Sequence, residues 1–206
     1  MPAQSIRNVL PVAEAAFPTR WAEFRIYGFE WSGAAPDVDK ESAVALRLGH
    51  SSNPLVRIHS QCLTGDVFGS LRCDCRAQLE LALEMIAAEK AGILIYEDKE
   101  GRGIGLMNKL RAYQLQDQGA DTVEANQKLG LAVDARGYAL PAAILHYFGV
   151  RRLRLLSNNP EKIQALEQAG IQVSERIACE PAIAPQARQY LRTKRQKLGH
   201  WISRPE

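Results

Sequence analysis

Three of the four cysteines in this chain, Cys62, Cys73 and Cys75, fall within fourteen residues in the spacing Cys-x10-Cys-x-Cys. Three thiolates form a soft donor set suited to zinc. The neighbours Asp66, Arg72, Asp74 and Arg76 are polar. That favours a metal site over buried free thiols, which pack as small hydrophobes. On a strand, Cys73 and Cys75 would point to the same face, and Cys62 would fold back to meet them. A structural zinc takes four protein ligands, whereas three ligands plus a water is the catalytic pattern. His59, three residues before Cys62, is a candidate fourth ligand, and the distant Cys179 reads as a packed thiol. The cysteines alone leave structural and catalytic zinc evenly balanced.

A second constellation is Glu100-Gly-Arg-Gly-Ile-Gly105, placed after a short apolar run. Its glycines let backbone N–H groups approach a ligand, a following helix favours an anion at its N-terminus, and Arg102 offers a two-pronged donor for phosphate. The spacing is neither the dinucleotide fingerprint nor the Walker loop. Lys109, Arg111, Arg136 and Lys162 add cations near loop ends and helix starts. From Pro181 to Glu206 the chain carries Arg188, Arg192, Lys194, Arg195, Lys197 and Arg204 against the single acid Glu206, with Tyr190 and Trp201 between. This stretch reads as a solvated basic tail in preference to a nucleic-acid surface.

The elements that must position these residues follow from periodicity. The chain has 206 residues, 46% of them hydrophobic and 24% charged, and a net charge of +3. That composition excludes disorder as the main state, and the charge is too small to imply a nucleic-acid partner. No apolar run reaches the ~18 residues of a membrane helix, and residues 1–11 lack the pattern of an export signal, so a cytoplasmic protein with reduced thiols is expected. Residues 1–20 look like a loose lead-in broken by prolines. Period-two alternation predicts strands around Phe24–Tyr27 and Val44–Leu48, with a loop over Ser32–Lys40 between them. Leu55–His59 reads as a short strand, and residues 77–90 as a helix carrying Leu79, Leu83 and Ile86. A strand over Gly92–Tyr96 and helices over Leu106–Gln118 and Tyr138–Phe148 follow. Next come a strand over Arg152–Leu156, a helix opened by Asn159-Pro160 and closed by Gly170, and a strand over Ile171–Arg176. The fold class is therefore α/β: a mixed sheet flanked by helices, with an N-terminal antiparallel β-rich part. One domain over 1–206 is expected, with 1–20 and the tail 181–206 peripheral.

Read together, five segments resemble GTP cyclohydrolase II, a bacterial enzyme of riboflavin synthesis. They are Arg57-Ile-His-Ser-Gln-Cys-Leu-Thr-Gly-Asp66, Leu71-Arg-Cys-Asp-Cys75, Glu100-Gly-Arg-Gly-Ile-Gly-Leu106, Asp121-Thr-Val-Glu-Ala-Asn126 and Leu155-Leu-Ser-Asn-Asn-Pro160. The resemblance runs over about residues 12–200, to the monofunctional form without the fused dihydroxybutanone-phosphate synthase domain. It implies a catalytic zinc held by Cys62, Cys73, Cys75 and a water, and Mg²⁺ with the triphosphate. It implies Asp134 as proton acceptor, Arg136 as nucleophile and Tyr113 near the phosphate or water; an arginine pKa above ~12 makes a nucleophile unusual and also allows Arg136 to act only as an electrostatic clamp on the α-phosphate. Arg57, Ile58, His59, Ser60, Gln61, Gln78, Glu100, Gly101, Arg102, Thr122, Ser157 and Lys162 match nucleotide-contacting positions. GTP as substrate and a homodimer are likewise implied, with no membrane or nucleic-acid partner. Gln61 stands where the family commonly has Glu, Lys99 where it usually has Gln, and Ser157 where Thr is common. Two rival readings follow: a paralogue acting on another nucleotide, supported by Gln61 and Lys99, and a zinc-stabilised nucleic-acid module using the basic tail.

Overall fold

A computed structural model describes residues 9–31, 41–132, 137–182 and 184–203. The strands β1 (Pro11–Pro18), β2 (Glu23–Trp31), β3 (Glu41–Leu48), β4 (Leu55–Ser60), β5 (Gly92–Glu97), β6 (Arg152–Leu156) and β7 (Gln172–Ile177) form one sheet in the order β1-β2-β3-β5-β4-β6-β7. The β1-β2-β3-β5 half is antiparallel and the β5-β4-β6-β7 half is parallel. The helices are α1 (Cys75–Glu89), α2 (Leu106–Asp117), α3 (Thr122–Lys128), α4 (Ala139–Tyr147), α5 (Pro160–Gln168) and α6 (Arg188–Leu198). This is the mixed, helix-flanked α/β sheet that the alternation predicts.

Strand β4 explains the layering. Its side chains alternate, so Val56 and Ile58 enter one core while Leu55 enters the other. On the first face they meet Ile93, Ile95, Leu153 and Leu155, covered by Leu140, Ile144 and Leu145 of α4 and Leu166 of α5. On the second, Leu55, Leu94 and Leu156 meet Ala82, Leu83 and Ile86 of α1, with Phe24, Leu46 and Cys179. A strand covered on both faces is largely apolar, as in the Gly92–Tyr96 run of β5, whereas β4 is apolar at Leu55, Val56 and Ile58 and turns Arg57 and His59 toward the cleft. Each of these fully buried aliphatic side chains contributes about 1.5–3 kcal/mol. Cys179 is the packed thiol expected of it.

The same topology creates a crevice. From β4 the chain crosses through α1 to β5 on one side, and it later returns to β6 on the other side of β4. Loops leaving the C-terminal ends of β4, β5 and β6 therefore diverge, and ligands bind at such a point.

Three elements differ from the sequence expectation. Pro11–Pro18 is an edge strand, not a loose lead-in. Its prolines occupy its first and last positions, where no ladder donor is needed, and nearly all its side chains are exposed, so it carries no hydrophobic alternation. Helix α3 begins at a capping box: the Asp121 side chain accepts from the Val123 and Glu124 N–H groups, and Glu124 accepts from the Asp121 N–H. Helix α6 replaces a solvated tail. The Ser32–Lys40 loop lies outside the described residues. Among those described, no helix is long and apolar enough to cross a membrane.

Candidate active site

Cys62 follows the end of β4, and a short helical turn, Leu63–Val67, folds the chain back beneath it. Cys73 precedes α1 and Cys75 is its first residue, so the two are delivered by a turn and a helix start rather than by a strand. The three sulfurs lie within 4.8 Å of one another, and Cys62 Sγ is 3.7 Å from Cys73 Sγ. Two sulfurs bound at ~2.3 Å to one tetrahedral zinc stand ~3.8 Å apart, so the cluster fits that ion. His59 does not join it, because its Nε2 faces both carboxylate oxygens of Asp66, at 3.1 and 3.2 Å. Among the described residues the group has three members and no fourth protein ligand.

Gly65 completes the cradle. A Cβ built there would lie 2.9 Å from Cys73 Sγ and 3.1 Å from Cys62 Sγ. Gly65→Ala is therefore expected to force the sulfurs apart and weaken metal binding at least about tenfold, the scale of changes beside metal ligands. Competition with a chromogenic chelator reads this directly, and an unchanged affinity would show that the sulfur triangle is not the binding geometry.

Beneath the cluster, the buried Asp66 carboxylate gathers three donors: His59 Nε2, the Tyr96 hydroxyl at 2.8 Å and the Cys62 N–H at 3.0 Å. Burial holds His59 below its ordinary pKa, so it is neutral at pH 7, with the Nε2 proton toward Asp66. Above the cluster, Lys109 Nζ donates to Cys62 Sγ at 3.1 Å and to Glu100 Oε1 at 2.7 Å. Burial works against the Lys109 charge, but Glu100 and Cys62 hold its pKa above the usual value. Hydrogen bonds from Cys73 and Cys75, together with Lys109, pull the Cys62 thiol far down, and the hydrogen bond to Cys62 pushes the Cys73 thiol up to about 11.

The cluster sits at one end of a cleft of about 510 Å³, inside the ~300–1,000 Å³ range of small-molecule sites. Along it lie His59 and Ser60 at the end of β4 and Gln61 just after it, Glu100, Gly101 and Arg102 after β5, and Ser157 and Lys162 after β6. Thr122 at the start of α3 and Tyr113 on α2 also line it, the Tyr113 hydroxyl 3.2 Å from Thr64 Oγ1. Glu100 anchors the glycine loop by accepting from the Leu63 N–H at 2.7 Å and the Gly101 N–H at 2.8 Å. Arg102 follows with φ +62°, a left-handed conformation costing a non-glycine residue about 1–2 kcal/mol. Its Nη2 is buried with no hydrogen-bond partner, a donor without an acceptor at the cleft.

Other expected contacts are placed differently. Ile58 faces the core, not the cleft, and only its carbonyl is engaged, by Lys162 Nζ at 2.7 Å. Arg57 and Gln78 line the cleft floor but bind each other at 2.7 Å, and Arg57 Nη1 also donates to the Leu156 carbonyl. Lys99 lies outside this cleft, tied to Glu41 at 3.1 Å and to the Gly137 carbonyl at 2.5 Å. Of the two departures supporting a paralogue, only Gln61 therefore faces the ligand space. Asp134 and Arg136 lie outside the described residues.

The basic tail is part of the site, which the sequence reading missed. Along α6, Leu191 and Lys194 are buried at helical spacing, and Tyr190, Thr193 and Lys194 line the cleft. Lys194 Nζ meets Asp74 Oδ1 at 3.2 Å, Lys197 pairs with Asp121, and the Trp201 N–H reaches the Asn158 carbonyl at 2.9 Å. Two of its cations, Lys194 and Lys197, are thus engaged by carboxylates of the fold, while Arg188, Arg192 and Arg195 are exposed.

Comparison with known proteins adds family membership. Residues 11–178 match the model of the family described as GTP cyclohydrolase II. The chain is 52% identical to GTP cyclohydrolase-2 of Neisseria meningitidis, covering 93% of this chain and 96% of that one. It is 48% identical to GTP cyclohydrolase-2 of Hahella chejuensis, covering 95% and 94%. It is 53% identical to the riboflavin biosynthesis protein RibBA of Salinispora tropica, where it covers 95% of this chain and spans about half, 49%, of the relative's length.

Proposed function

Since the chain belongs to the GTP cyclohydrolase II family, we propose that it opens the guanine imidazole ring of GTP, releasing formate and pyrophosphate and leaving 2,5-diamino-6-(5-phosphoribosylamino)pyrimidin-4-one for riboflavin biosynthesis. The observation that carries this reading is a three-thiol cluster at one end of a cation-lined cleft at the C-terminal ends of β4, β5 and β6. The balance is hydrolytic: one water cleaves each C–N bond of C8, and one cleaves the phosphoanhydride.

Cys62, Cys73 and Cys75 would hold zinc, whose chemistry here is to acidify a water for attack at C8. Three thiolates overcompensate the charge of a divalent ion. Lys109 works against that excess by donating to Cys62, and Glu100 fixes the Lys109 ammonium in place. Tyr113, hydrogen-bonded to Thr64 beside the cysteines, orients a water or phosphate oxygen. Arg102 offers its unpartnered donor to phosphate, and Mg²⁺ accompanies the triphosphate. Asp134 and Arg136 complete the catalytic set. A guanidinium stays protonated below pH ~12, so Arg136 suits an electrostatic clamp on the α-phosphate better than a nucleophile, with Asp134 orienting it. The active form is a homodimer.

The test incubates zinc-loaded protein with GTP and Mg²⁺ and quantifies products by mass spectrometry. Formate, pyrophosphate and the pyrimidine in equal amounts are expected. Pyrophosphate without formate would refute the ring-opening step and point to Gln61, and no product at all would refute GTP as substrate.

A further inference from the structure

The family match ends at residue 178, yet α6 at 188–198 walls the cleft. Its Tyr190 ring lies close to two cations. The Arg102 guanidinium is 5.8 Å from the ring centroid, and Lys194 Nζ is 4.5 Å from it on the same helix. Both distances are within the ~6 Å reach of a cation–π contact. Arg102 is the residue in a left-handed conformation whose Nη2 is buried without an acceptor. With that Nη2 lacking a hydrogen-bond partner, the contact with the Tyr190 ring is the one aromatic contact that reaches this guanidinium among the described residues.

The helix is anchored well enough to set that ring. Ala187 and Leu191 are buried, Lys194 reaches Asp74, and Asp74 passes the contact on to Gln78 at 2.6 Å. Lys197 meets Asp121 and Glu124 at the N-terminus of α3. Strain in Arg102 and anchoring of α6 thus converge on one contact across the cleft.

We propose that Tyr190 is a positioning residue: its ring holds the Arg102 guanidinium at the angle that grips the phosphate chain of the substrate, so the C-terminal helix is half of the phosphate site. This deepens the proposed function, with a nucleoside triphosphate as the ligand class.

The test measures binding of inorganic tripolyphosphate and of a non-hydrolysable GTP analogue to the full-length zinc-loaded chain by calorimetry. Tyr190→Leu is expected to raise both dissociation constants about tenfold. Tyr190→Phe, which keeps the ring, restores both. Arg192→Ala, exposed on the same helix, leaves both unchanged. In an Arg102→Ala background, Tyr190→Leu adds no further loss, because the two act as one unit. That double-mutant comparison also separates positioning from a fault in folding, which would add to the Arg102 loss. Additive losses would overturn the proposal. So would a loss confined to the GTP analogue, since Tyr190 would then be stacking on the base. If the wild-type chain releases no formate from GTP but shows this Tyr190 dependence with tripolyphosphate, the ring-opening function falls and the phosphate site stands.

Discussion

Cys73→Ser is expected to leave a folded protein that binds less than about a tenth of one zinc per chain and produces no detectable formate, a loss of at least about 10⁴-fold. Serine keeps the shape but replaces a soft, ionisable sulfur with a hard hydroxyl that does not ionise near pH 7, and zinc discriminates on both counts. A 10⁴-fold loss corresponds to about 5.4 kcal/mol of transition-state stabilisation, within what a metal-activated reaction draws from its ion. The fold does not depend on this sulfur: Cys73 belongs to neither main hydrophobic cluster, and the neighbouring Cys75 enters α1 by its backbone. The phosphate half of the cleft is carried by other segments, Arg102 by the turn after β5 and Lys162 by α5. Binding of tripolyphosphate should therefore change by less than about threefold while zinc content and formate collapse. Full zinc occupancy and normal formate release in the serine variant would remove the cysteine cluster from the mechanism. Loss of tripolyphosphate binding along with zinc would show that the two halves are not separable.

The layout of the parallel half was legible because both faces of β5 are covered, leaving an apolar run that needs no partner to be recognised, and because strands and helices alternate around it. The helix caps were equally legible: Asn159 accepts from the Glu161 N–H at 3.0 Å, with Pro160 as the first helical residue. What escaped was structure whose signal is relational. Strand β1 is held by its pairing with β2 and buries almost nothing, so no periodicity marks it. Helix α6 reads as a charged tail because its buried cation, Lys194, is neutralised by Asp74, 120 residues away in sequence. Only the capping pair Asp121 and Glu124 was a local signal passed over. At the site, residue types and spacing indicated the sulfur cluster and the glycine loop, while motif order picked out Arg57 and Gln78. It could not show that these two satisfy each other. Nor could spacing reveal that His59, three residues from a cysteine, turns toward Asp66, because a ligand and a supporting residue share the same chemistry until a partner is seen.

Asp66 is that partner, and Asp66→Asn is the second large effect expected. Its carboxylate receives three donors, from His59, Tyr96 and Cys62, in a site almost closed to water. An amide presents one acceptor oxygen and one pair of N–H donors, so at least one of the three donors faces another donor. Hydrogen bonds to a buried charged group are worth about 1.5–3 kcal/mol, and leaving donors unpaired adds their desolvation. A destabilisation of about 3–5 kcal/mol follows, the range for breaking a buried charged network. The loss reaches the metal site through the Cys62 N–H, which Asp66 holds 3.0 Å from Oδ2 and so fixes where the Cys62 sulfur stands. Zinc affinity should fall about 10–100-fold, the scale for residues that orient metal ligands. Two measurements separate the effects: chemical denaturation of the metal-free protein reads the network alone, and chelator competition on the folded protein reads the metal. Stability lost with zinc affinity intact would mean that Asp66 serves the β4–β5 seam through Tyr96 and leaves Cys62 to place itself. Zinc affinity lost with stability intact would mean that His59 and Tyr96 find other acceptors, so that the Cys62 contact is the one the site depends on.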